Sequence, residues 1–215
     1  MKNLTIPSGD LMLEARFRPA GTASPAAVIC HPHPQFGGSM DNNVVYALEA
    51  ALSAAGYSTL CFNFRGVGES EGRYDGMDGE VDDVIAAWAW LAARPEADPA
   101  RMALAGYSFG GYLALRAAAR LIEAREMEEL RGRAQSPANL LLVSPMPGPP
   151  GWEREVRPLW SEQPPAAIIT GEFDDICAPA FAQELATRLV ARLTVIPGGD
   201  HYYVGREREI AKWVL

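Results

Sequence analysis

Positive charge is in short supply in this chain: 19 Lys and Arg face 27 Asp and Glu, for a formal net charge of −8. Such a surface repels phosphate backbones and anionic bilayers, so no nucleic-acid partner and no membrane partner is expected. Cysteine is scarce and odd in number, at Cys30, Cys61 and Cys177. The first two lie inside apolar runs, which argues against a disulfide framework and for buried free thiols in a reducing, cytoplasmic setting. No apolar run reaches the length of a membrane span. Met1 to Pro7 lack the apolar stretch of a signal peptide, so none is expected. Internal repeats and low-complexity segments are also missing. Histidine occurs only at 31, 33 and 201, which leaves few candidates for a general base.

What remains is a composition suited to a packed domain. Apolar residues make up 48% of the 215 residues and charged ones 21%, enough for a sheet buried on both faces and too few charges for disorder. One domain over 1–215 is expected.

Strand-like and helix-like patterns alternate along the chain. Leu4–Ile6 and Leu11–Phe17 flank the turn signal Pro7-Ser8-Gly9-Asp10 and read as a hairpin. Short apolar runs at Ala26–Cys30, Tyr57–Phe64, Met102–Ala105, Asn139–Val143, Ala166–Thr170 and Leu193–Ile196 read as buried strands. Helical patterns lie at 43–55, with Asp41 and Asn42 as caps, and at 81–93, 109–131, 180–190 and 206–215. Residues 121–133 form a charged helical tail that reads as a solvated end. The alternation predicts an α/β fold with a mostly parallel sheet and helices on both faces. Function is then expected at the C-terminal ends of the strands.

Gly106-Tyr107-Ser108-Phe109-Gly110 matches G-x-S-x-G. A serine on a sharp strand-to-helix turn needs small neighbours two residues away, because strand and helix crowd there. Chance alone gives about 0.1 match in a chain of this composition. Here a buried strand ends at the motif, and Gly110, Gly111, Ala114, Ala117 and Ala118 open a helix with a small-residue face. The bland alternative is a glycine-rich turn with an incidental serine.

A serine hydroxyl needs a base to become a nucleophile. His201 follows the last strand, in the chain order Ser, acid, His that this motif leads one to expect. Asp174 and Asp175 follow the strand ending at Thr170, and both qualify as the acid that orients the imidazole. Donors for a developing oxyanion are expected from the N–H groups of Phe109 and of His33, the latter in the loop His31-Pro32-His33-Pro34.

These residues together resemble the α/β-hydrolase superfamily over essentially the whole chain, in particular its small, lidless, dienelactone-hydrolase-like serine hydrolases. His31-Pro32 stands where many members have His-Gly. Asn63-Phe64-Arg65-Gly66-Val67-Gly68-Glu69-Ser70 looks like the family's D-x-R-G-x-G-x-S segment with Asn63 for the first Asp, a segment that is chiefly structural. Asp200 to Gly205 is similar to the terminal histidine motif of the small subgroup. In the family pattern the acid comes three residues after the glycine that ends its strand; carried onto Gly171, this implies Asp174, with Asp175 as the fallback. True dienelactone hydrolases carry cysteine at the elbow, and Ser108 departs from them.

The resemblance implies an α/β-hydrolase fold with a roughly eight-stranded sheet and an N-terminal antiparallel hairpin. It also implies hydrolysis of a small-molecule ester, or of a thioester or amide, without a cofactor or metal. The segment Pro145 to Trp160 is too short and proline-rich for a multi-helix cap. An open, shallow site lined by Phe36, Met146, Trp152, Trp160 and Tyr202 is therefore expected, with a preference for short acyl esters.

Three rival readings compete with this one. Gly66-x-Gly68 begins like a dinucleotide fingerprint, but its third glycine comes one residue late, at Gly72, and no helix opens there. His31-x-His33 with His201 would suit a metal hydrolase, yet prolines interrupt the unit. A non-catalytic binding member of the same fold is the rival from another class.

Overall fold

The computed structural model describes residues 2–126, 136–162 and 164–212. Eight strands form one sheet in the order β1-β2-β4-β3-β5-β6-β7-β8. They are β1 (Lys2–Ser8), β2 (Leu11–Arg18), β3 (Ser24–Cys30), β4 (Ser58–Phe62), β5 (Ala97–Tyr107), β6 (Asn139–Val143), β7 (Ala166–Gly171) and β8 (Arg192–Ile196). β1 and β2 pair antiparallel, as do β2 and β4. Every pairing from β4 to β8 is parallel. The helices are α1 (Asn43–Ala54), α2 (Asp78–Ala92), α3 (Phe109–Glu126), α4 (Pro158–Glu162), α5 (Pro179–Leu189) and α6 (Glu207–Ala211).

Successive residues of each central strand serve opposite cores. Val28, Cys30, Leu104, Leu140, Leu142 and Ile168 join one cluster with residues of α2, α3 and α5. Ala27, Ile29, Ala105, Leu141, Val143 and Ile169 join a second with Val44, Leu48 and Leu52 of α1 and Ile210 of α6. This period of two, apolar on both sides, is why the strands read as uninterrupted apolar runs. Truncating a core side chain such as Leu104 to Ala costs about 2–5 kcal/mol.

The chain passes from β3 through α1 on one face to β4, and from β4 through α2 on the other face to β5. Loops leaving the C-terminal ends of β3 and β5 therefore diverge around a crevice between neighbouring strands, where ligands bind in open α/β sheets.

Several local expectations need correction. β5 starts at Ala97, well before Met102, because the register shifts between Ser24 and Ala26 of its partner strand. Pro99, which has no N–H to give, sits in that irregularity. Asp83, near the start of α2, is fully buried and takes a two-pronged ion pair from Arg65, at 2.8 and 3.1 Å. At the start of α1, Asn42 caps Val44 N–H at 2.9 Å, whereas Asp41 pairs with Arg16. Between β6 and β7 lie a 3-10 turn (Trp152–Arg154) and the short α4, which the prolines had hidden. The expected helix beyond Glu126, most of the charged tail to Arg133, and the chain end from Trp213 lie outside the described residues.

Candidate active site

The turn between β5 and α3 is built around three glycines. A Cβ on Gly106 would strike the backbone of Gly110, and one on Gly110 would strike the carbonyls of Cys30 and His31. Gly111 packs against Pro145. Ser108, between them, takes φ +55°, in the left-handed region that non-glycine residues rarely enter. The segment after β6 holds it there: Ser108 N–H donates to Val143 O at 2.9 Å, and Met146 N–H donates to Ser108 O at 3.0 Å.

The loop after β8 carries His201, and the loop after β7 carries Asp174. Phe173 N–H donates to Gly199 O at 2.8 Å, and Gly171 has no room for a side chain beside Gly199 and Asp200. Asp200 Oδ1 accepts from both Tyr202 and Tyr203 N–H, closing the turn that presents the imidazole.

These loops bring the three side chains into line. His201 Nε2 lies 2.9 Å from Ser108 Oγ, and its Nδ1 lies 3.0 Å from each Asp174 oxygen. Nδ1 faces an acceptor, so it carries the proton, and Nε2 offers its lone pair to the serine hydroxyl. Burial alone would push the Asp174 carboxyl up. Hydrogen bonds from the His201 ring and Cys177 N–H outweigh it and hold the group below its ordinary value, as a carboxylate. Such a line can pass a proton from hydroxyl to ring while the carboxylate steadies the imidazolium. Asp175 is exposed and makes no contact with the ring.

The loop after β3 forms the opposite wall. His31 is fully buried; its Nε2 accepts Phe64 N–H at 3.0 Å and its Nδ1 donates to Pro32 O at 2.6 Å. Burial drives its pKa down to about 3, so the ring is a neutral brace with both nitrogens committed. His33 packs its ring 4.5 Å from that of Phe109. Neither the His33 N–H nor the Phe109 N–H has an acceptor among the described residues. Both are therefore available to an oxygen placed between them. Cys177 is buried, with its thiol pushed up to about 12 by burial, and only its N–H serves the site.

A cavity of about 640 Å³ opens beside Ser108, lined by Pro32, His33, Phe36, Gly37, Gly38, Asn42, Tyr107, Met146, Ile176, His201 and Tyr202. Phe36 and Tyr202 stand at its mouth, 87% and 61% exposed. Trp152 and Trp160, expected in this lining, lie elsewhere. Trp152 is buried against Tyr112 and Phe181, and Trp160 lies under the Arg188 guanidinium. The short helix α4 and the preceding turn fold these indoles onto α3 and α5, away from the cavity. The sequence reading missed Tyr107, Ser144 and Tyr203, all of which touch this group of residues. Ser144 lies just past a strand's C-terminal end, which was the one signal available.

Comparison with known proteins adds four findings. Residues 8–127 match the family described as X-Pro dipeptidyl-peptidase (S15 family). An α/β serine hydrolase homologue from Coxiella burnetii superposes with a TM-score of 0.80 at 30% identity, covering 99% of this chain and 95% of that one. An α/β serine hydrolase without lid from Xanthomonas campestris gives 0.77 at 31% identity, over 99% and 91%. An uncharacterized protein of Rickettsia prowazekii is 29% identical over 212 residues, 93% of this chain and 81% of its own length.

Proposed function

Because this chain belongs to the X-Pro dipeptidyl-peptidase (S15) family and to the α/β serine hydrolases, we propose that it hydrolyses small neutral carboxylic esters through an acyl-enzyme on Ser108. The observation that carries this reading is the line Ser108–His201–Asp174, with contacts of 2.9 and 3.0 Å, at the wall of an uncharged cavity.

In the proposed reaction His201 Nε2 takes the hydroxyl proton as Ser108 Oγ attacks the ester carbonyl. The N–H groups of Phe109 and His33 receive the oxyanion. The imidazolium then protonates the leaving alcohol, and water, activated by the same ring, releases the acid. Asp174 stays ionised throughout and holds the ring's orientation.

The family's name raises a peptidase reading. A dipeptide with a free N-terminus carries an ammonium group, which needs a carboxylate to receive it once water is displaced. No Asp or Glu lines the cavity among the described residues. That lining favours neutral esters over X-Pro peptides.

The test combines a fluorophosphonate probe with p-nitrophenyl acetate, an acetyl thioester and Ala-Pro-p-nitroanilide. Labelling of wild type at Ser108 and preferred turnover of the oxygen ester are expected. Wild type that resists the probe, or a preference for the Ala-Pro amide, would overturn the proposal.

A further inference from the structure

The cavity beside Ser108 holds hydrogen-bonding groups that the proposed reaction does not use. Tyr107 gives its hydroxyl proton to His201 O, and both ring nitrogens of His201 are committed to Ser108 and Asp174. The Tyr202 phenol stands at the mouth, where solvent reaches it. Asn42 and His33 remain. Asn42 Oδ1 accepts Val44 N–H at 2.9 Å, and the amide nitrogen meets no acceptor among the described residues. His33 Nδ1 accepts Gln35 N–H at 3.2 Å, so the ring proton sits on Nε2, which likewise meets none. Burial lowers the pKa of that ring and keeps it neutral.

Capping explains the oxygen of Asn42 but not its nitrogen. Asn, Asp and Ser cap helices about equally well, because each offers an oxygen to the first turn. Aspartate or serine would serve α1 as well, and only asparagine leaves N–H donors over. The residue is also held in place by its surroundings. Asn42 N–H donates to Ser39 O at 3.1 Å, Met40 N–H donates to Asn63 Oδ1 at 2.8 Å, and the buried Arg16 donates to Met40 O at 2.9 Å. The donor is thus set before a substrate arrives, and little ordering is left to lose on binding.

We propose that Asn42 is a specificity-determining residue: its amide N–H groups bind a second acceptor oxygen of the substrate, and the site takes esters carrying a ketone, ether or further ester oxygen in preference to plain alkyl esters. A plain alkyl chain displaces water from those N–H groups and leaves them without a partner, which disfavours the substrate lacking the oxygen. Among the described residues no Lys or Arg lines the cavity, so the matching group is a neutral oxygen rather than a carboxylate. His33 Nε2–H adds a second donor, which points the same way.

The inference rests on the ester-hydrolase reading, and its test separates the two. Values of kcat/KM are measured for ethyl acetoacetate against ethyl butyrate, and for ethyl levulinate against ethyl pentanoate, in wild type, Asn42→Ser and Asn42→Asp. Both replacements keep an oxygen for Val44 N–H, so α1 stays capped. The ratio within each pair cancels any general loss of activity, and its change between enzymes cancels the esters' own reactivity. In at least one pair the keto-to-alkyl ratio should fall by roughly three- to tenfold in Asn42→Ser, where the donor is withdrawn. It should fall further in Asn42→Asp, where a charge faces the ketone oxygen. Ratios unchanged in both variants would overturn the proposal. In parallel, the Asn42 side-chain amide resonances are followed by NMR while Ser108→Ala protein is titrated with the same esters. The keto esters should shift them more than their alkyl partners, and equal responses would also overturn the proposal. If wild type hydrolyses no ester, the hydrolase reading falls, and the amide resonances still decide the role of Asn42.

Discussion

The phenol of Tyr107 donates to the backbone carbonyl of His201 at 2.7 Å, deep in the protein. The residue immediately before Ser108 thereby ties the elbow at the end of β5 to the loop after β8 that brings the imidazole. Tyr107→Phe leaves that buried carbonyl without a donor, which costs about 1–3 kcal/mol. Urea unfolding should show a lower midpoint with an unchanged slope. The loop's freed backbone should also lower kcat for p-nitrophenyl acetate more than it changes KM, because orientation matters at the moment of proton transfer. A variant with lowered stability and intact kcat would show that the bond serves folding alone.

Asp174 and Asp175 were equivalent candidates on local sequence, and their environments now differ sharply. Asp174 is 3% exposed and spans His201 Nδ1 with both oxygens, while Asp175 faces solvent. Asp174→Asn presents an N–H where the ring needs an acceptor and favours the wrong tautomer, so kcat should fall by about 10³- to 10⁴-fold. Asp175→Asn should stay within about twofold of wild type, as exposed substitutions usually do. Steady-state kinetics of the two variants on one ester checks both values, and similar losses from each would refute the assignment.

The fold was legible because its signals are local. Ala26–Cys30 and Asn139–Val143 are apolar on both faces, and Gly56 ends the helical pattern before β4. The turn at Ser108 announced itself through Gly106 and Gly110, whose small size the crowding there demands. Partners remote in the chain were not legible. Ser144 and Tyr203 meet across 59 residues, and Ser144 sits in no motif. Arg65 and Asp83 pair only once the loop after β4 meets α2, which nothing local to either residue announces. Trp152 and Trp160 misled because a proline-rich segment says where a chain turns but not which way its indoles point.

That error makes a prediction about specificity. Phe36 is at the cavity mouth and almost wholly exposed, so Phe36→Ala should alter stability by no more than about 0.5 kcal/mol. It should raise KM for an aryl ester severalfold, since apart from its edge contact with the His33 ring the phenyl group offers its apolar surface to the cavity mouth. Trp152→Phe should do the reverse, lowering Tm through lost packing against Tyr112 and Phe181 while leaving KM unchanged. Thermal melts paired with Michaelis–Menten curves give both readings. A rise in KM from the tryptophan change alone would place the substrate on the wrong side of the segment after β6.

His31 should make the protein acid-labile well above the range where carboxylates titrate. Its ring is buried and neutral with a pKa near 3, and in the unfolded chain it returns to 6.5. Between those values the unfolded chain binds a proton that the folded one does not. The ring's contribution to stability is therefore complete above pH 6.5 and is lost as pH falls toward 3, by up to about 1.4 kcal/mol for each unit. Asp174, whose pKa is lowered in the fold, adds a loss of the same sign at the acid end of that window. Urea unfolding from pH 7.5 to 4.5 should trace this slope. His31→Asn should start from a lower stability, having lost the bonds to Phe64 and Pro32, yet show a flatter dependence on pH. An equally steep slope in that variant would mean that another group governs the acid transition and that the imidazole is not the brace that fails first.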